Sequence, residues 1–188
     1  MGAENKKMYT ADKKMCTENT KITREEFNSG KVTGIHTVEE PIKGFKRVDC
    51  ACSFFFNKKT KTVEAIAELE MPTASTIVRS YRTLIDDNGS SHDYVNDKVR
   101  TDRAIVKNIE PRDKDFVKKI KTADMNFIFN RMFNSIDDCD CYSMYNRKFK
   151  YKKGQEVTPK HKFNDDTTVE CTSGIHFFKD KDEAKNYL

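Results

Sequence analysis

The sequence predicts a single α+β domain: a mainly antiparallel sheet, one central amphipathic helix and a C-terminal helix. Three observations predict it. Polarity alternates from Lys46 to Phe56 and again from Val63 to Met71, on either side of the polar turn 57–60. Apolar residues recur at spacings of three and four between Thr122 and Ile136. Asp180 and Glu183 form a helix-start pattern just before Ala184, Tyr187 and Leu188. Alternation sends strand side chains to opposite faces, whereas spacing by three and four gathers them on one stripe of a helix.

The elements follow in chain order. Residues 1–21 are polar, carry five lysines and show no periodicity, so they are expected to form a flexible arm before a single domain spanning 22–188. Thr23 with Glu26 is a capping-box pair that opens one short helical turn, which Asn28-Ser29-Gly30 closes. In the first long strand the even positions, Lys46, Val48, Cys50, Cys52, Phe54 and Phe56, form the core-facing row. The second strand turns Val63, Ala65, Ala67, Leu69 and Met71 inward and stops at Pro72. Together they make an antiparallel hairpin. Ile77-Val78 continues the sheet, Asp86 to Asp93 is a solvated loop with an Asn-Gly turn, and Arg103 to Ile109 is a strand closed by Pro111.

Met125, Ile128, Phe129, Met132, Phe133 and Ile136 form the stripe of the central helix, with Thr122 as its N-cap. Tyr145, Arg147, Phe149 and Tyr151 alternate with polar neighbours in a strand that ends at Gly154. Ile175 to Phe178 is the last strand, with Ile175 and Phe177 on one face and His176 and Phe178 on the other. Gly174 before it is expected to hold a backbone conformation that only glycine adopts easily. Asp180 to Leu188 is the final helix.

The totals limit the function classes. The chain has 188 residues, 36% hydrophobic and 35% charged, with 13 Phe, 7 Tyr and no Trp, enough for one compact core under a charge-rich surface. The net charge of +5 permits an acidic partner without arguing for one. No stretch reaches the about 18 apolar residues of a membrane-spanning helix, and the N-terminus lacks the apolar core of a signal peptide. Gly2 follows Met1, but Lys6 stands where a myristoylation signal wants Ser or Thr. These features predict a soluble, intracellular, non-secreted protein without membrane insertion, whose six cysteines are mostly reduced.

Several residues invite chemical readings. Cys50-Ala-Cys52 and Cys139-Asp-Cys141 are Cys-x-Cys pairs that could ligate a metal with Cys171 and His176. However, Cys50 and Cys52 share their face with Val48, Phe54 and Phe56, the usual company of core cysteines, and the two-residue spacer of zinc knuckles is absent. Thiols without a metal are the preferred reading. Cys171 and His176 could pair as nucleophile and base only if the Thr172-Ser173-Gly174 step bends the chain, and no third orienting group is evident. Asn146 to Gly154 mixes basic and aromatic residues, as nucleic-acid sites do. Its alternation fits a half-buried strand with a lysine-protected outer face better. There is no phosphate-binding glycine loop, dinucleotide fingerprint, His-Glu-x-x-His motif or nucleophile elbow, and no cofactor is implied.

Four blocks carry a family likeness: "IKGFKRV" from Ile42, "AIAELEMPTAS" from Ala65, "DKVRTDRAIVKNI" from Asp97, and "YNRKFKYKKGQEVTP" from Tyr145 followed by "ECTSGIHFFKDKDEAKNY" from Glu170. From Ile42 to Leu188 the chain resembles an uncharacterised domain of large DNA viruses that infect amoebae, a domain often found after pentapeptide repeats. Gly154, Cys171, Gly174 and His176 match its signature, whereas Phe45, Val48 and Val99 depart from its Trp and two Cys positions, and against that family residues 111–141 look like a helical insertion. The resemblance implies a viral protein, in the virion or in the infected cell's cytoplasm or nucleus. It also implies a non-enzymatic interaction role with a protein partner of virus or host. "GIHFFKDKDEAKNY" is also similar to the Gly-Ile-Tyr-Phe strand and following helix of ADP-ribosyltransferases. That likeness implies an alternative, an NAD-using enzyme with His176 in the nicotinamide position and Cys171 and Tyr145 nearby.

Overall fold

The strand-forming alternation extends further along the chain than the sequence reading gave it. The computed structural model describes residues 19–30, 32–53, 60–85, 88–113 and 139–187. Its elements are β1 (Thr20–Ile22), α1 (Arg24–Ser29), β2 (Gly34–Val38), β3 (Ile42–Ser53), β4 (Thr60–Met71), β5 (Thr76–Ile85), β6 (Ser91–Thr101), β7 (Ala104–Pro111), β8 (Asp140–Ser143), β9 (Asn146–Tyr151), β10 (Glu156–Val157), β11 (Ile175–Phe178) and α2 (Lys181–Asn186). They form one sheet of eleven strands in the order β1-β2-β5-β6-β11-β3-β4-β7-β10, with β8 joined to β3 and β9 to β8.

This corrects the predicted class. The described chain is mostly β, a single mixed sheet with two short helices, and not an α+β fold around a central helix. The sheet is mixed because β1 and β2 run parallel while β3 and β4 and the other hairpins run antiparallel. The physical reason for the error is tertiary pairing. The polar run Ser91 to Thr101 has little strand character of its own, yet it pairs with β5 on one edge and β11 on the other. The stripe 122–136 and most of the insertion 111–141 lie outside the described residues, as do residues 1–18 of the expected arm.

Where the sequence signal was local, the expected geometry is present. Thr23 and Glu26 form the reciprocal capping box: Glu26 N donates to Thr23 Oγ1 at 3.3 Å and Thr23 N to Glu26 Oε2 at 2.9 Å. Gly30 ends α1 in the left-handed conformation, with φ of 74°. The β3–β4 hairpin is continuous from Ile42 opposite Met71 to Ser53 opposite Thr60. Ile42, Val48, Cys50 and Cys52 are buried on the even face, opposite Val63, Ala65, Ala67, Leu69 and Met71 from β4. Asp180 caps α2 by accepting from Asp182 N at 2.7 Å, one residue earlier than expected.

Ile22 near one end of the sheet order and Val157 near the other belong to one core cluster, together with Phe177 and Leu69. With two six-residue helices as the only helical cover among the described residues, the sheet buries its apolar face largely against itself. A smaller cluster on the other face packs α2 down: Ala184 and Tyr187 sit against Ile66, Phe178 and Phe45.

The cysteines give a second correction. Cys50 faces Cys141 across the β3–β8 ladder and is bonded to it; Cys52 is bonded to Cys139 two residues along. Residues two apart on a strand share a face, so the two Cys-x-Cys pairs meet as a ladder of disulfides. These four are therefore oxidised, not reduced as expected, and their sulfurs are bonded to one another and not offered to a metal. Among the described residues, Cys171 is the free cysteine, and it is exposed.

Gly174 also differs from expectation. Among the described glycines, positive φ occurs at Gly30, Gly34, Gly89 and Gly154, and not at Gly174. What Gly174 provides is room: a Cβ there would meet Arg100 Cβ at 3.1 Å and Phe163 Cε2 at 3.2 Å. Gly44 is tighter still, because a Cβ would lie 2.2 Å from Phe177 Cδ2.

Two outcomes follow from this packing. Gly44→Ala and Gly174→Val should each lose about 1–3 kcal/mol of stability through overpacking, read from denaturant midpoints; midpoints equal to wild type would refute the close approach. Cys50, Cys52, Cys139 and Cys141 should resist alkylation until a reductant is added, whereas Cys171 reacts at once. Reduction should then lower stability by about 2–4 kcal/mol per bridge. Immediate labelling of all five, with an unchanged melting temperature, would contradict the disulfide ladder.

Candidate functional site

The chain's four-residue strand β11 joins two halves of the sheet. It pairs with β6 along Ile175 to Phe178, but with β3 only where Phe178 meets Phe45. On the same edge of β3, β8 takes over at Val48. Lys46 and Arg47 therefore lie at a fork between two partner strands, and a cleft of about 390 Å³ opens there.

Lys46 occupies the core-facing row of β3, between buried Gly44 and buried Val48. Its Nζ donates to the His176 carbonyl at 2.9 Å. Burial, and then the nearby Lys98 ammonium, lower its pKa to about 8. Lys98 reaches the cleft from β6 and donates to the Tyr187 hydroxyl at 3.2 Å and to Cys171 Sγ at 3.4 Å. Desolvation opposes its charge, but these two hydrogen bonds outweigh it and the pKa rises. Its Nζ also stands 5.3 Å from the centre of the Tyr187 ring, within cation–π range.

Arg47 points to the other face and ties the end of the chain down. It donates to the Tyr187 carbonyl at 2.6 Å and pairs with Glu64 at 2.5 Å. Its Nε is buried with no hydrogen-bond partner among the described residues. Two aromatic pairs stand in the same region: Phe178 with Tyr187 at 5.0 Å between ring centres, and Phe149 with Tyr151 at 5.1 Å. All four rings line the cleft, with Tyr145 at its rim, 71% exposed. No Asp or Glu lines it among the described residues.

The far wall is the loop 159–174, held by Arg100. That guanidinium is 1% exposed. It donates to the carbonyls of Asn164 (3.0 Å), Val169 and Asp166 and to Ser80 Oγ (2.9 Å). Four acceptors satisfy a buried cation that no carboxylate touches directly. Asn164 N also donates to the Ser173 carbonyl at 3.1 Å, closing the loop on the corner that leads into β11.

Cys171 and His176 both line this cleft, each with a different partner. His176 Nε2 donates to the Glu170 carbonyl at 3.3 Å, and Cys171 accepts from Lys98. Burial, and then the charges of Lys46 and Lys98, push the His176 pKa down to about 4, so the imidazole is neutral at ordinary pH. Tyr145 comes to the same cleft, where a hydrogen bond with Tyr187 and partial burial raise its hydroxyl pKa. Gly174 lines the cleft, whereas Gly154 lies apart, in a turn where its N–H donates to the Val106 carbonyl at 2.8 Å. Cys50, Cys52, Cys139 and Cys141 lie outside the lining but anchor β8, whose Ser143 lines it.

Sequence reasoning missed Lys46, Lys98, Tyr187 and Arg100. One signal was available: a lysine in a core-facing row is a cation that needs a reason.

A model for a family of unknown function, DUF5758, matches residues 33–184, which includes every strand from β2 to β11. The chain belongs to this family. Uncharacterized protein L223 of Acanthamoeba polyphaga mimivirus is 31% identical over 169 residues, covering 82% of this chain and 88% of that protein. No solved structure matches. The expected kinship with an uncharacterised domain of an amoeba-infecting DNA virus therefore holds. The DUF5758 match contains the whole fork, from Lys46 to His176. No helix among the described residues is long and apolar enough to cross a membrane.

The neutral imidazole has a pH consequence. Between pH 6.5 and about 4 the unfolded chain protonates His176 while the folded chain does not, so stability falls as pH falls through that window. The contribution reaches up to about 3 kcal/mol, at ~1.4 kcal/mol per pH unit. His176→Asn keeps a donor for Glu170 and cannot titrate. Its stability should decline less than wild type from pH 6.5 to 4; parallel declines in urea titrations would show that the imidazole protonates freely.

Proposed function

We propose that the fork cleft binds a small organic anion bearing a flat ring. The observation that carries this is the lining: Lys46 and Lys98 share the cleft with two aromatic pairs, and no carboxylate lines it among the described residues. Two like charges in a partly desolvated cleft repel one another, and an anion relieves that repulsion. The rings suit a planar group, and their quadrupoles favour the cations beside them.

This favours a binding module over the NAD-using alternative. The cleft does bring His176, Tyr145 and Tyr151 together. The carboxylate that such a transferase needs is missing from the described lining. The kinship supports a viral protein; the non-enzymatic role, in the virion or on the infected cell with a protein partner recognised through the occupied cleft, is part of this proposal.

Calorimetry with inorganic phosphate, AMP, pyridoxine phosphate and NAD tests the reading. Ring-bearing phosphates should bind better than phosphate alone. Lys98→Ala should weaken them about tenfold or more, the size of one charge-assisted hydrogen bond. Lys46 loses its charge as pH rises through about 8, so affinity should be lower at pH 9 than at pH 7. No heat from any of these anions at millimolar concentration would defeat the proposal, and turnover of NAD would favour the transferase.

A further inference from the structure

We propose that Lys46 is a nucleophilic amine that captures an aldehyde or ketone on the bound anion as an imine. This rests on the anion-binding reading and names the ligand class: a ring-bearing anion that also carries a carbonyl.

The argument starts from position. A lysine chosen only to hold an anion could stand at the rim, as Lys160 of the loop does. Lys46 instead issues from the inward row of β3, at the fork itself, and its Nζ is fixed by the His176 carbonyl at 2.9 Å. That acceptor is a neutral dipole, which orients the nitrogen without holding it as an ion the way a carboxylate would. A second cation, Lys98, stands close enough to oppose its charge. A desolvated lysine beside another cation is the arrangement that makes an amine nucleophilic near neutral pH. With a pKa of about 8, a useful fraction of Lys46 is neutral at pH 7.

The step balances without an oxidant or reductant. The Lys46 nitrogen lone pair attacks the carbonyl carbon, and the C=O π pair moves to oxygen, which takes up a proton. The nitrogen gives up a proton, the carbinolamine oxygen is protonated again and leaves as water, and the nitrogen gives up its second proton as the neutral C=N bond is completed. The net change is amine plus carbonyl giving imine plus water. Lys98, held charged by Tyr187 and Cys171, positions the anionic group. Tyr145 and Tyr187 supply hydroxyls at the cleft for the proton movements.

Pyridoxal 5′-phosphate, which combines ring, phosphate and aldehyde, is a suitable probe; pyridoxine phosphate lacks the aldehyde. The full chain is incubated with less than one equivalent of pyridoxal phosphate, reduced with borohydride and mapped by peptide mass. The reduced adduct should fall on Lys46 at least tenfold over any other lysine. Its yield should rise with pH and level off above about 8, where surface lysines keep rising. Lys46→Arg, which keeps the charge, should lose the adduct. The wild-type map stands alone if that variant folds poorly. If pyridoxine phosphate binds but adducts scatter over surface lysines, the imine proposal is overturned and the anion site stands. If neither compound binds, both are overturned.

Discussion

A β-strand has two hydrogen-bonding edges, and β3 divides one of them between two partners. Its other edge is fully occupied by β4. On the divided edge β11 holds Phe45 and β8 holds Val48 to Ala51. Two strands approaching one edge from different parts of the chain cannot both continue through Lys46 and Arg47, so the sheet opens there. The opening is a consequence of topology. β11 must sit between β6 and β3 to join the halves of the sheet, and its four residues are too few to pair far along β3. The close approach of Phe177 to Gly44 secures this seam, because no side chain on β3 stands beneath the ring.

The fork explains the electrostatics of the cleft. A lysine in the inward row of a continuous sheet would meet only apolar neighbours, at a cost of several kcal/mol for an ion. At the fork Lys46 meets a backbone carbonyl and an open cleft. The cost is reduced, not removed, and its remainder appears as the lowered pKa of Lys46 and the neutral state of His176. Structural ion pairing normally cancels such perturbations with carboxylates. Here the described lining holds none, while Glu64 is committed to Arg47 and Arg112. Several titratable groups shifted by burial and by like charge within one cleft are the arrangement that functional sites use to tune their chemistry.

What was legible in the sequence was whatever depends on neighbours along the chain. The capping box of Thr23 and Glu26, the inward row of β3, the β3–β4 hairpin and the opposite faces of Phe177 and Phe178 all follow from spacing over a few residues. The site depends on register between distant segments. Lys46 meets His176 across 130 residues, Arg47 meets Tyr187 across 140, and Lys98 meets Tyr187 across 89. No local pattern encodes those meetings. The same distinction accounts for the cysteines. Alternation placed Cys50 and Cys52 on one face, but only the β3–β8 register puts Cys141 and Cys139 opposite them, 91 and 87 residues away. The sequence points to Gly174 for its backbone conformation, whereas its need arises from Arg100 and Phe163 packing over it.

The two walls of the cleft are fixed by different chemistry, and together they make it preorganised. On one side, disulfides clamp β8 to β3 and thereby hold the β8–β9 hairpin that carries Tyr145, Phe149 and Tyr151. On the other, the buried Arg100 guanidinium gathers three carbonyls of the 164–169 segment and shapes the approach to Cys171 and His176. Neither device touches the space between the walls. A ligand entering there meets donors and rings whose orientation folding has already fixed, so less of its binding free energy goes into ordering them. That preorganisation suits the anion binding proposed for the cleft, because donors and rings fixed in advance can discriminate between ligands that differ by a single group.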